Sequence, residues 1–133
     1  MPTPLRILLV EDEEPLASSL AKMLREVWGF DIILAHGGIE AIEILKKERP
    51  PLMLLDLYLE DIGGLKVLRD AKANDPDIIV YVLTGFNDAD LKQKSLAQGA
   101  RDYFVKPLKH DILKAKLDEA AAEIAKRGSP AEG

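Results

Sequence analysis

Glu11, Asp12, Asp56, Thr84 and Lys106 each stand where a short apolar run ends, and together they carry the chemistry of this chain. Ile7-Leu8-Leu9-Val10 runs into Glu11 and Asp12, and Pro51-Leu52-Met53-Leu54-Leu55 into Asp56. Ile78-Ile79-Val80-Tyr81-Val82-Leu83 runs into Thr84-Gly85, and Tyr103-Phe104-Val105 into Lys106-Pro107. A carboxylate at the end of an apolar segment is costly to bury unless a charge pairs with it. If the four runs are parallel strands, their ends meet on one edge, and acids, a hydroxyl and an ammonium share a pocket. Taken alone, Glu11-Asp12-Glu13-Glu14 reads as an acidic first helical turn that suits the helix dipole. Taken with Asp56, the same acids make an oxygen-only donor set suited to a hard ion such as Mg²⁺. Beside such an ion the Asp56 carboxylate could attack phosphorus and become an acyl phosphate; its other role would be metal ligation alone. Thr84 could donate a hydrogen bond to a phosphoryl oxygen, with Gly85 leaving the approach open, or could be a core threonine satisfied by backbone. Lys106 is either an exposed loop lysine or a point charge that offsets phosphoryl or carboxylate charge. The Lys106–Pro107 bond is a candidate cis peptide that would turn the lysine inward.

The elements that must hold these groups follow from periodicity. The spacing predicts strands over Ile7–Val10, Asp31–Ala35, Leu52–Asp56, Ile78–Leu83 and Asp102–Val105. Between them come helical segments. The first carries Leu16, Leu20, Met23, Leu24 and Val27 on one stripe, with Pro15 at its first position. The second runs from about Gly38 to Lys47 with Ala41, Ile42 and Leu45 inward, and the third from about Leu65 to Ala73 with Leu65, Leu68 and Ala71 inward. The fourth spans about Asp88 to Gln98 and ends at Gly99, and the fifth spans about Lys109 to Lys126 with Ile112, Leu113, Leu117, Ala120 and Ile124 inward. Strict β–α alternation with fully apolar strands argues for a doubly wound α/β fold: three layers, a five-stranded parallel sheet with helices on both faces. Right-handed crossovers bring the strand C-terminal ends to one edge, where open sheets of this kind bind ligands.

A chain of 133 residues fits one domain, placed at 1–126, with 127–133 read as a disordered tail or the start of a linker. The absence of cysteine excludes disulfides and thiolate metal sites and suits a cytoplasmic location. No apolar run is long enough for a membrane span, and no signal-peptide pattern opens the chain. The net charge of −5, with no dominant basic block, argues against direct nucleic-acid binding. His36 and His110 read as isolated surface residues.

In the segments Leu9-Val10-Glu11-Asp12-Glu13, Leu54-Leu55-Asp56-Leu57, Leu83-Thr84-Gly85 and Gly99-Ala100-Arg101-Asp102-Tyr103-Phe104-Val105-Lys106-Pro107, the chain resembles the receiver domains of two-component response regulators. The likeness covers Leu5 to about Ala125. It implies a flavodoxin-like strand order, 2-1-3-4-5. It implies that Asp56 is the phosphoacceptor, Asp12 a direct Mg²⁺ ligand, Glu11 a ligand through water, and the Tyr58 backbone carbonyl a further ligand. Thr84 and Lys106 would bind the phosphoryl group, and Thr84 with Tyr103 would form the switch, although Tyr103 also reads as an ordinary edge-strand aromatic. The implied donor is a histidine kinase or phosphotransfer protein. The output would be a switched surface of the fourth helix, fifth strand and fifth helix, signalling to a downstream protein or to a C-terminal effector domain, with pairing of two copies through the last helices. Such a domain is not an enzyme in its own right, though it assists its own phosphorylation and autodephosphorylation.

One loop departs from the family pattern. After Asp56 the chain reads Tyr58-Leu59-Glu60-Asp61-Ile62-Gly63-Gly64, with Glu60 where a proline is usual. Tyr58 is bulky enough to screen the phosphoryl group and so to set its lifetime. A receiver-like binding module that is never phosphorylated is the alternative, and the Glu60 loop is its one support. A flavodoxin-type cofactor binder would need a phosphate cradle where this chain has four acids. A haloacid-dehalogenase-type hydrolase would need an Asp-x-Asp motif that Glu11-Asp12-Glu13 does not supply.

Overall fold

The computed structural model describes residues 4–128. Five strands, β1 (Arg6–Val10), β2 (Asp31–Ala35), β3 (Leu52–Leu55), β4 (Ile79–Thr84) and β5 (Asp102–Val105), form one parallel sheet in the order β2-β1-β3-β4-β5. The helices between and after them are α1 (Leu16–Lys22), α2 (Gly38–Glu48), α3 (Gly64–Asn74), α4 (Ala89–Ala97) and α5 (His110–Gly128). The expected fold class and strand order are both present.

Alternation along each strand splits the core in two, as a pleated sheet covered on both faces requires. Leu8 and Val10 of β1 join Met53 and Leu55 of β3, and pack with Ala41 and Leu45 of α2 and Val67, Leu68 and Ala71 of α3. Ile7 and Leu9 face the other way, with Leu52 and Leu54, onto Ala21, Leu24, Leu113, Leu117 and Ala120 from the α1 and α5 layer. Register places Val10 beside Leu55, Leu55 beside Val82, and Thr84 beside Val105. The residues that follow β1, β3 and β5, together with the end of β4, therefore emerge on one edge.

Several local expectations shift. Asp56 lies just past β3 rather than in it, and β4 runs one residue later than predicted. Pro15 precedes the first helical residue. Leu16 and Val27 of the predicted stripe are exposed, and Ala17 and Ala21 take the inward places. At Val27 the cause is a π-helical turn, Met23–Val27, that continues α1. Its longer hydrogen-bond spacing rotates the last residues away from a 3.6-residue stripe. Ile112, expected inward on α5, is also exposed, while Leu113 and Leu117 are buried. Val67 is buried where only Leu65, Leu68 and Ala71 had been expected on α3. Gly99 closes α4 with φ +107°, a conformation that a side chain at this position would strain. α5 includes Arg127 and Gly128, which had been assigned to the tail. Arg127 Nη1 donates to the Asp77 carbonyl at 2.6 Å. Residues 129–133, the rest of that tail, lie outside the described residues. No helix among the described residues is long and apolar enough to cross a membrane.

Candidate functional site: an ammonium between two buried carboxylates

Glu11 leaves β1 with its amide still donating to the Ala35 carbonyl, and Asp56 leaves β3 with its amide donating to the Val10 carbonyl. Both side chains are thereby held by extensions of the sheet rather than by loose loops. Lys106 follows β5, and its amide donates to the Thr84 carbonyl at 2.7 Å. The Lys106–Pro107 peptide is cis, as expected, and Glu14–Pro15 is cis as well.

The Lys106 ammonium donates to Glu11 Oε1 at 2.5 Å and to Asp56 Oδ2 at 3.3 Å. Glu11 is 2 % exposed and Asp56 9 % exposed, so an unpaired charge on either would be heavily penalised. Burial, with a contribution from the Asp56 charge, raises the Glu11 pKa above its ordinary value although Lys106 opposes it. Burial acts to lower the Lys106 pKa, but its bonds and charge attraction to Glu11 and Asp56 outweigh this, and the ammonium is held more firmly than usual. The remaining carboxylate oxygens accept from backbone: Glu11 Oε2 from the Glu13 amide and Asp56 Oδ1 from the Tyr58 amide at 3.0 Å.

Thr84 is fully buried, and its hydroxyl has no hydrogen-bond partner among the described residues. A buried hydroxyl of this kind is a donor held in reserve or an uncompensated cost. Tyr103 is buried, and its hydroxyl donates to the Phe86 carbonyl at 2.6 Å. The Tyr58 and Phe86 rings are both about half exposed and stack with centroids 4.0 Å apart at 40°. This pairing could not be read from the sequence, since nothing in the spacing links residue 58 to residue 86.

Asp12 stands apart from the other acids. Its Oδ2 accepts from the Glu60 amide at 2.8 Å. Among the described residues, no three Asp, Glu, His or Cys side chains are gathered closely enough to hold an ion. The donor chemistry still fits a hard divalent cation. Glu11 and Asp56 already converge on one positive charge, and all donors are oxygen. Asp12 would join them by releasing the Glu60 amide. His36 and His110 are exposed surface residues, as expected.

The Response regulator receiver domain family matches residues 7–118. The chain is 34 % identical over 116 residues to the transcriptional regulatory protein ZraR of Escherichia coli, covering 87 % of this chain and 26 % of that protein. It thus spans about a quarter of the length of that curated relative. Among solved structures, a signal receiver domain from Vibrio parahaemolyticus superposes with a TM-score of 0.85 at 32 % identity, covering 98 % of this chain and 99 % of that one. A response regulator protein from Burkholderia pseudomallei, solved with a phosphorylated aspartic acid, a calcium ion and citrate, has a TM-score of 0.78 at 26 % identity, covering 96 % of this chain and 75 % of that one.

Proposed function

The chain belongs to the response regulator receiver domain family, and on that footing we propose that it accepts a phosphoryl group on Asp56 from a histidine kinase or phosphotransfer protein. The observation that carries this reading is the Lys106 ammonium bonded to carboxylates 95 and 50 residues away. A fold has little reason to gather two buried acids and a lysine at a sheet edge for stability alone, since hydrophobic replacements often do as well.

In the proposed reaction an Asp56 carboxylate oxygen attacks phosphorus. The phosphorus–nitrogen bond of the donor phosphohistidine breaks, and the imidazole leaves with a proton from solvent. A Mg²⁺ ion held by Glu11, Asp12, Asp56 and the Tyr58 carbonyl would supply charge neutralisation at the phosphoryl oxygens. Lys106 offsets the added negative charge, and the unpartnered Thr84 hydroxyl donates to a phosphoryl oxygen. The Tyr58 amide keeps Asp56 oriented through Oδ1.

Thr84 and Tyr103 then act as the switch. Tyr103 is inward in this structure, bonded to the β4–α4 loop through Phe86. Drawing Thr84 to a phosphoryl group favours that packing, and the α4–β5–α5 surface follows as a population shift. The recipient of the signal is an attached effector or a separate protein, and the setting is the cytoplasm. The parking of Asp12 on the Glu60 amide is the observation that favours the alternative, a receiver-like module that binds partners without phosphorylation.

Intact mass after incubation with Mg²⁺ and a small phosphodonor tests the reading, with Asp56→Asn as control. A phosphoryl adduct on the wild type alone is expected. No adduct, or an equal one on Asp56→Asn, would sink it, and Mg²⁺ binding without an adduct would select the binding module.

A further inference from the structure

α2 begins without a cap of its own. Its N-cap residue is Gly37, which has no side chain to accept from the first amides. The acceptor comes from 23 residues away. Asp61 Oδ1 accepts from the Gly38 amide and Oδ2 from the Ile39 amide, each at 2.9 Å. Asp61 Oδ1 also accepts from the Ile62 amide at 2.8 Å. The bonds to Ile39 and Gly38, the largest influences, hold the Asp61 carboxyl below its ordinary range. The approach is close enough to exclude a side chain on the α2 side. A Cβ at Gly37 would lie 2.9 Å from Asp61 Oδ2, and one at Gly38 would run into the Ile62 side chain.

Asp61 sits on the loop between β3 and α3, three residues beyond Tyr58. Tyr58 is the residue whose amide orients Asp56. Two carboxylates fasten this loop to its neighbours by hydrogen bonds: Asp61 to α2, and Asp12 from the β1–α1 loop to the Glu60 amide. If Asp12 turns to a cation, Glu60 loses its acceptor, and Asp61 becomes the carboxylate tie that remains, beside the Tyr58–Phe86 stack.

We infer that Asp61 is a positioning residue for the phosphoacceptor site: by capping α2 it holds the β3–α3 loop, and with it the Tyr58 backbone, in place beside Asp56. This rests on the phosphoacceptor reading for its purpose, though not for its geometry. The helix dipole and the two first-turn amides make the α2 end a strong anchor for a carboxylate. The anchor is rigid because α2 is buried along Ala41 and Leu45. Tension therefore falls on the loop rather than on the helix.

The test compares wild type with Asp61→Ala, Asp61→Asn and Gly37→Ala. The last keeps the carboxylate but pushes it off the amides, so it serves if Asp61→Ala folds poorly. Amide hydrogen exchange at Tyr58, followed without metal, is the primary readout. Mg²⁺ affinity by calorimetry and phosphorylation rate at saturating Mg²⁺ accompany it. Asp61→Ala is expected to speed Tyr58 exchange and weaken Mg²⁺ binding, each by about three- to tenfold, with Asp61→Asn recovering only part of the loss, since its one oxygen can accept from Gly38 but its NH2 cannot accept from Ile39. The rate at saturating Mg²⁺ should fall less than Mg²⁺ affinity does, because Asp61 touches no reacting atom and acts only through the Tyr58 backbone. Unchanged Tyr58 exchange alongside a lower melting temperature would reduce Asp61 to a helix cap and overturn the inference. A wild type that takes no phosphoryl group would remove the phosphoacceptor reading instead, while the exchange data would still judge Asp61.

Discussion

Replacing Lys106 by Met removes the ammonium while keeping most of the aliphatic stem. At an effective dielectric of about 20, its two attractions amount to about 5 and 7 kcal/mol before solvation is counted. Most of that is spent desolvating three charges, and breaking a buried pair typically costs about 3–5 kcal/mol net. The lysine side chain is 20 % exposed, against 3 % for Glu11 and 11 % for Asp56, so some screening applies. A loss of about 2–4 kcal/mol at pH 7 follows, or a fall in melting temperature of about 10 °C. The Glu11 carboxyl is already raised by burial and by the Asp56 charge, and losing Lys106 raises it further. A group whose folded pKa lies above its unfolded value contributes most below the unfolded pKa and loses that contribution as pH rises through the folded one. The deficit of Lys106→Met should therefore be smallest near pH 4.5, the ordinary glutamate value, and grow toward neutrality. Urea unfolding from pH 4 to 8, on both variants and on Lys106→Met/Glu11→Gln, measures it. Glu11→Gln should recover about 1–2 kcal/mol in the Lys106→Met background, because one of the two facing charges is gone. Mg²⁺ should also narrow the gap, by supplying another cation. A deficit under about 1 kcal/mol at pH 7, or one that Glu11→Gln does not change, would refute the charge argument.

Tyr58→Ala removes the ring stacked on Phe86 beside Asp56, and the acyl phosphate lifetime should shorten about threefold or more as water gains access; equal lifetimes would remove the idea that Tyr58 is a screen. Tyr103→Phe deletes the hydroxyl bonded to the Phe86 carbonyl and should cost about 1 kcal/mol in unfolding experiments, with the inward ring position losing population. The depressed Asp61 carboxyl contributes stability above its ordinary value of 3.8, and that contribution is lost as pH falls through its lower folded value. Wild type and Asp61→Ala should accordingly converge in melting temperature below pH 3.8 and separate above it. Glu60→Pro removes the amide that holds Asp12 and should tighten Mg²⁺ binding about tenfold, the worth of one bond to a charged acceptor; calorimetry on the two proteins decides it.

The residues at strand ends were legible because a parallel sheet converts sequence order into a shared edge. Glu11, Asp56, Thr84 and Lys106 needed only their strands recognised for their neighbourhood to follow, and the structure brings Glu11, Asp56 and Lys106 into direct contact. Helix faces were legible in helix interiors, as for Ala41 and Leu45, and failed at Val27 where a π turn changed the period and at Leu16 and Ile112 in the first turns of α1 and α5. Loop contacts had no period to read. The Tyr58–Phe86 stack and the Asp61 cap join segments whose spacing carries no signal. The one sequence clue to the cap was Gly37-Gly38, two residues without side chains at a helix start, which marks a close approach but does not say what approaches. The position of Asp12 is a different case. Its residue type suits a metal, but the Glu60 backbone amide, two residues after Tyr58, satisfies a carboxylate too.

That competition bears on how the resting site holds together. Three acids at one edge would repel one another, yet each has a partner. Lys106 serves Glu11 and Asp56, and the Glu60 amide serves Asp12. These partners are the groups that the proposed chemistry must redirect, since a cation would take the carboxylates and a phosphoryl group would claim Lys106. Resting stability and readiness to react therefore draw on the same bonds. Strengthening the Lys106–Glu11 pair or the Asp12–Glu60 bond would steady the unphosphorylated chain and raise the cost of loading it. The buried Thr84 hydroxyl is the exception, because it has no resting partner to give up. Any hydrogen bond it made to an incoming oxygen would be gained without a matching loss, and in the proposed reaction this would make Thr84 the group best placed to report phosphorylation to the rest of the sheet.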